Sequence, residues 1–496
     1  MKLTFREGII LFIASFFFLI FFSTSTSFIG PVVSFDSSIF QLIGKYWNEG
    51  VLPYVGLWDS KGPLIFFINA VGYYLTNSYF GVFIIQVLCL FITLTFIYLF
   101  FKQAKKQRKA WLQTFFVLIV LSNSIEGGNS VEEYLLPLLV PALFYMYKWS
   151  ARMATNEDIA HSVRYAFLYG LVLSFSFLTR LTNAIGVCVG AILIFICLVY
   201  NKKWGNLLKC VCCFIGGFLL LTIPFVYYFY SRGVLSDMWY GTVGYNVGYV
   251  STASYSYYSF KGIMGLLLSY FSCYFLIGVS ILTIIFQHDY KRTGWFWLIV
   301  SSSTFIYFYN TYRFAHYNII SLPYLCIGIV ELERLIEGTS SRSLKKGLKI
   351  SSYVMNLFLI CGCVYQSFQA ICQYTESHST SEYFKSYINQ IPKEDLNSFV
   401  GYNTTSTYYL DLNICPYYPF FYMQDRTISR NKSLGKKVYD VFEKGAVKWI
   451  LVDDYNGQCG IQDILDARYE RIKNDGLALY KLIKKESDGF GQKSKK

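Results

Sequence analysis

Apolar runs of about 18 to 25 residues recur along the chain, the first from Gly8 to Phe28, and they limit how it can fold more than any other feature. A helix needs about 20 apolar residues to cross the ~30 Å hydrocarbon core of a bilayer, where the backbone must satisfy its own polar groups. An average soluble domain carries roughly 25% charged residues. Here the share is 15%, against 54% hydrophobic and 20% aromatic residues. This excludes an ordinary soluble enzyme and predicts a polytopic α-helical membrane protein. No small-x-small cleavage site follows the first run, so it is expected to remain as a helix. Cys188, Cys210, Cys212, Cys213, Cys361 and Cys363 fall inside apolar runs as small hydrophobes, with no disulfide framework or zinc spacing.

The net charge of +14 raises the question of nucleic acid, but short cytoplasmic loops of membrane proteins are themselves rich in Lys and Arg. About eleven spans are predicted, near 8–28, 80–101, 110–124, 134–149, 165–179, 182–200, 210–230, 262–286, 294–310, 315–331 and 350–372. With the N-terminus inside, the cytoplasmic segments hold 20 basic residues, five of them between Lys102 and Lys109 and five between Arg334 and Lys349. The outer segments before residue 376 hold six: Lys45, Lys61, Arg180, Arg232, Lys261 and Arg313. That asymmetry accounts for the charge without nucleic acid and fixes an orientation. The stretch Pro63 to Leu75 is apolar but too short to span comfortably, and counting it would put the Lys102 to Lys109 cluster outside. It is read as a juxtamembrane or re-entrant helix.

Beyond residue 376 the composition changes: residues 376–496 hold 18 basic and 16 acidic residues and no long apolar run. The expected organisation is a membrane region over 1–375 with an outer loop at 29–79, an extracytoplasmic α/β domain over 376–484, and a polar tail over 485–496. Within the domain, helices are predicted over Glu382–Ile391, Gly435–Lys444 and Asp463–Tyr469. Strands are predicted over Ser398–Tyr402, Val447–Asp453 and Ala478–Ile483. Cys415 and Cys459 both fall in this domain, and sequence leaves their pairing open.

With this topology the polar residues near the membrane converge on the outer side. Asp36 lies a few residues past the first run, where a carboxylate is expensive unless used or paired. Gly50-Val51-Leu52-Pro53-Tyr54 and Trp58-Asp59-Ser60-Lys61-Gly62-Pro63-Leu64 follow it. Glu126-Gly127-Gly128-Asn129-Ser130-Val131-Glu132-Glu133 forms the next outer loop, then Arg180 and Asn183, then Arg313-Phe314-Ala315-His316-Tyr317.

An acidic residue past the first helix, the G-x-x-P-Y and W-D-x-K-G-P-L segments, an acidic second loop and a late R-x-x-H-Y together resemble the integral-membrane GT-C glycosyltransferases. Within them the pattern resembles bacterial members near the protein O-mannosyltransferases and the aminoarabinose transferases of lipid A. The resemblance is clearest over residues 30 to 140. It implies a polyprenyl-phosphate-linked sugar as donor, a glycan, lipid or protein of the cell envelope as acceptor, and Asp36 as catalytic base or acceptor-orienting carboxylate. It implies Lys61 on the donor phosphate, with Gly62 standing where the family's K-P-P-like segment has its first proline. Arg313 and His316 match late outer-loop positions suited to phosphate, and on electrostatic grounds Lys61, Arg180 or Arg313 is expected to stabilise the leaving phosphate. The second carboxylate is Glu132 or Glu133 in place of the usual Asp, which leaves open its role and any need for a divalent cation.

Each residue also has a plainer reading. Asp36 could cap the helix that follows it, Lys61 could snorkel, and the glutamates could complement a helix dipole. Arg180, Arg313 and His316 could be packing anchors. The competing function is a transporter or flippase of lipid-linked oligosaccharide or polysaccharide, which calls for charge along a path through the membrane centre. The predicted spans are nearly free of charge at their centres.

Overall fold

The computed structural model describes residues 2–27, 34–104, 107–154, 159–250, 271–309, 314–339, most of 341–365, 378–430, 432–453 and 459–483. The chain divides into two units, Met1–Glu49 with Ser60–Ser377, and Gly50–Asp59 with His378–Lys496.

The first unit is helical: α1 (Phe5–Phe22), α2 (Phe35–Asn48), α3 (Pro63–Thr76), α4 (Tyr79–Ala104), α5 (Gln107–Ser122), α6 (Val131–Arg152), α7 (Val163–Phe177), α8 (Ile185–Tyr200) and α9 (Trp204–Ser231). Further helices run Phe271–Phe286, Lys291–Tyr309 and Leu322–Gly338. Four segments among the described residues are long and apolar enough to cross a membrane: Phe5–Phe22, Tyr79–Ala104, Leu181–Tyr200 and Trp204–Ser231. On α9, Ile215, Leu219, Leu220, Ile223 and Tyr227 are all exposed. A continuous apolar surface of that kind belongs against lipid. The chain is a helical membrane protein.

Local chemistry explains where the elements begin and end. Thr4 and Glu7 form a capping box at the start of α1, and the Glu7 carboxylate also takes Lys102 at 2.7 Å and Tyr98 at 2.5 Å, tying α1 to the end of α4. The first helix stops at Phe22, six residues before the predicted end, because the run Ser23 to Ser27 turns instead. Ser23 and Thr26 donate to Gln86 on α4, and Ser25 N–H donates to Gly127.

The stretch predicted as short is α3, 14 residues and so about 21 Å long, below the ~30 Å of hydrocarbon. A Cβ on Gly81 would lie 1.9 Å from the Gly72 carbonyl oxygen, so α3 and α4 meet backbone to backbone. The span expected at 315–331 differs: Ala315–Ser321 is a 3-10 turn and the α-helix begins at Leu322, where Pro323 pre-sets the first turn. Residues 262–270, most of 350–372 and the tail 485–496 lie outside the described residues.

The second unit is α/β. Four strands, β1 (Phe399–Tyr402), β2 (Trp449–Asp453), β3 (Tyr469–Asp475) and β4 (Leu477–Leu482), lie in the order β1-β2-β4-β3. β1 runs parallel to β2, while β4 is antiparallel to both β2 and β3. Val400, Ile450, Leu451 and Leu479 are buried in the sheet, and the helix Lys432–Glu443 buries Leu434, Val438 and Phe442 at four-residue spacing. The sequence reading passed over β3, and it placed no helix at Thr407–Asp411 or Gln424–Arg430.

Replacing Gly81 with Ala is expected to destabilise the first unit by about 1–3 kcal/mol through overpacking. Gly216→Ala on α9, where an added Cβ meets nothing within 4 Å, serves as the control. Thermal unfolding in detergent checks this: only Gly81→Ala should melt early.

Candidate active site

The first turn of α2 carries Asp36. Ser34 occupies the N-cap position, so Asp36 is not the cap; it sits half-buried inside the first turn, where a carboxylate suits the helix dipole. Among the described residues its carboxylate makes no hydrogen bond or ion pair. The turn beneath it is held by buried polar groups. The Asn129 side-chain amide donates to Ser37 Oγ and Asn69 Oδ1, both at 2.9 Å, and its oxygen accepts from Tyr134 at 2.7 Å. Gln41 donates to Ser37 and to the Ser25 carbonyl.

Lys61 reaches the same place by backbone pairing. Gly62 N–H donates to the Thr179 carbonyl and Leu64 N–H to that of Leu178, both at 3.0 Å. A Cβ at Gly62 would lie 2.2 Å from Leu178 backbone atoms. This explains why glycine stands where the resembling family has proline: the residue must donate and must have no side chain. Pro63 then opens α3.

The pairing brings Arg180 alongside. Arg180 Nη1 donates to Glu132 Oε1 at 3.1 Å, and Asn183 donates to the same oxygen at 3.1 Å. The guanidinium also lies over the Tyr317 ring, 3.3 Å from its centroid. Arg180 is therefore fixed on a buried carboxylate and an aromatic face. His316 Nδ1 lies 2.5 Å from Glu126 Oε2, and Glu126 Oε1 accepts the Ala315 N–H at 2.8 Å. Burial alone would raise the Glu126 carboxyl, but His316 and the Ala315 and His316 backbone N–H groups outweigh it and hold it below the usual value. The carboxylate's contribution is thus present above the ordinary carboxylate range and lost as pH falls through the lowered value, and the raised imidazole of His316 sets the upper limit, the pair weakening as pH rises through that value.

Asp36, Lys61, Glu132, Arg180 and His316 all line one cleft, with Ser34, Ser37, Glu126, Asn129 and Tyr317. Glu133 is not among the lining residues; it accepts from Ser130 at 2.9 Å in a capping box and from Gln86 at 2.9 Å. Arg313 lies outside the described residues. Among the described residues, no group of three or more His, Cys, Asp or Glu side chains is placed to hold a metal ion. Sequence reasoning did not single out Asn129, Ser37 or Tyr317, nor pair Glu126 with His316. The available signal was the double glycine of Glu126-Gly127-Gly128-Asn129, which marks a backbone with unusual angles.

The architecture has a counterpart among solved membrane proteins. It aligns with the crystal structure of ArnT from Cupriavidus metallidurans bound to undecaprenyl phosphate, with a TM-score of 0.57 over 96% of this chain and 98% of that one. At 11% identity the likeness is one of fold. The chain belongs to the family of the putative competence-induced protein Ccs4, whose N-terminal-domain model matches residues 5–372. No curated protein matches it.

Gly62→Pro tests the pairing that seats Lys61. The backbone angles at Gly62, φ −69° and ψ 160°, would accept proline. The lost donor leaves the Thr179 carbonyl unpaired, at about 1–3 kcal/mol, and the ring collides with Leu178. A lower melting temperature than wild type is expected; an unchanged one would show that the pairing is dispensable.

Proposed function

We propose that the protein transfers a sugar from a polyprenyl-phosphate carrier to an acceptor hydroxyl on a cell-envelope glycan, lipid or protein, at the outer face of the membrane. The observation that carries this reading is that one cleft joins a carboxylate unpaired among the described residues, Asp36, to three basic groups, Lys61, Arg180 and His316. An acceptor hydroxyl must lose a proton as it attacks the anomeric carbon, and Asp36 is the carboxylate able to take it. The departing polyprenyl phosphate carries negative charge, which Lys61, Arg180 and His316 stabilise as it develops. Glu132 serves Arg180, fixing the guanidinium before the substrate arrives. That the structural relative was captured with undecaprenyl phosphate supports a carrier of this kind.

Asp36→Asn keeps size and helix start but cannot act as a base, so transfer in a direct assay should fall by about a hundredfold to ten-thousandfold while donor binding survives. Lys61→Ala should instead weaken donor binding. Near-native transfer by Asp36→Asn would move the base to another carboxylate or end the assignment.

The basic-residue asymmetry puts the N-terminus and the loop after α4 in the cytoplasm, and the second unit outside. In a cysteine-depleted background, Arg108→Cys should resist an impermeant thiol reagent in intact cells, and Lys436→Cys should react. The reverse pattern would overturn the outer-face site.

A further inference from the structure

Residues 126–129 adopt four left-handed conformations in succession: Glu126 (φ 43°), Gly127 (85°), Gly128 (79°) and Asn129 (61°). Glycine takes this region freely, but residues with side chains rarely do, and such backbones persist only where their surroundings over-determine them. The surroundings here do so. Asn129 is bonded to Ser37, Asn69 and Tyr134, the Gly127 carbonyl accepts Ser25 N–H at 2.8 Å, and a Cβ at Gly128 would lie 2.1 Å from Ser23 Oγ.

This loop presents the Glu126 carboxylate to residues 315 and 316. Oε1 accepts Ala315 N–H at 2.8 Å, and Oε2 faces His316 Nδ1 at 2.5 Å and its N–H at 3.4 Å. The ring packs against Phe314 and Tyr317 and lines the cleft. With Nδ1 committed to the carboxylate, Nε2 is the ring atom left for a ligand. An adjacent carboxylate favours the doubly protonated ring, in which Nε2 carries a proton to donate.

We propose that Glu126 is a positioning residue that holds His316 as a hydrogen-bond donor to the phosphate of a polyprenyl-phosphate ligand. This rests on the reading of the cleft as a lipid-phosphate site and adds a residue that reading does not use. Other charged groups face the same ring. Asp36 from α2 and Glu132 from α6 act in the same sense as Glu126; Arg180, bonded to Glu132, and Lys61 line the same cleft with charge of the opposite sign.

The test uses full-length protein in nanodiscs, with polyprenyl monophosphate as the probe. Glu126→Gln retains an oxygen acceptor for the backbone N–H groups but removes the charge. Relative to wild type at each pH, it should weaken binding about tenfold at pH 8 and less than threefold at pH 6. His316→Gln should weaken binding at both, and adding Glu126→Gln to it should do nothing more. In parallel, NMR of labelled histidine, with the His316 signal assigned by its loss in His316→Gln, should show the protonation midpoint falling by at least one pH unit in Glu126→Gln.

An unmoved midpoint, with binding equal to wild type or lowered equally at both pH values, would make Glu126 only a brace for the 315–317 turn and overturn the proposal. So would wild-type protein that does not bind the probe. If these signatures hold but no sugar is transferred, the lipid-phosphate site stands and the transferase reading fails.

Discussion

The side-chain amide of Asn129 is the tie on which the candidate site depends. It is buried, and a buried amide left without partners costs about 1–3 kcal/mol. Its partners, Ser37, Asn69 and Tyr134, come from α2, α3 and α6. Satisfying one amide therefore sets where three helices meet. It also holds the left-handed loop that presents Glu126 and the turn that presents Asp36. Such a network specifies one arrangement of the helices where hydrophobic packing alone would accept several.

The charges around the cleft fall into two kinds. Arg180 with Glu132, and His316 with Glu126, are partnered before any ligand arrives. A charge fixed in advance needs little rearrangement when substrate charge develops, which is the condition for effective electrostatic catalysis. Asp36 differs: its carboxylate has no hydrogen-bond or ion-pair partner among the described residues, which leaves its acceptor capacity open. The carboxylates differ only in what each is bonded to, since all are the same chemical group.

Much of this was legible in sequence. Long apolar runs gave the helical membrane region, because burial in lipid leaves a periodicity-free signal that needs only length. The grouping of Asp36, Lys61, Glu132, Arg180 and His316 came from the motif resemblance and the loop topology. The choice between Glu132 and Glu133 did not: adjacent helical residues point about 100° apart, and only the capping bonds of Glu133 and the arginine contact of Glu132 separate them. β3 escaped because Tyr469–Asp475 is largely charged and exposed, as an edge strand should be, and so lacks an apolar alternation. The start of the helix at Leu322 escaped because the hydropathy of Ile319 and Ile320 does not distinguish a 3-10 turn from an α-helix.

The ten residues Gly50–Asp59 belong to the second unit. Trp58 N–H donates to the Pro419 carbonyl, the Trp58 ring packs 5.3 Å from that of Phe420, and Tyr422 donates to Asp59. Tyr54, Leu57 and Trp58 are all buried. These side chains leave the ribosome more than three hundred residues before the partners that cover them. During synthesis the loop between α2 and Lys61 therefore waits, with its apolar side chains uncovered, until the last quarter of the chain has been made. The second unit is not an appendix added to a finished membrane region; its folding is the event that completes a loop begun near the N-terminus.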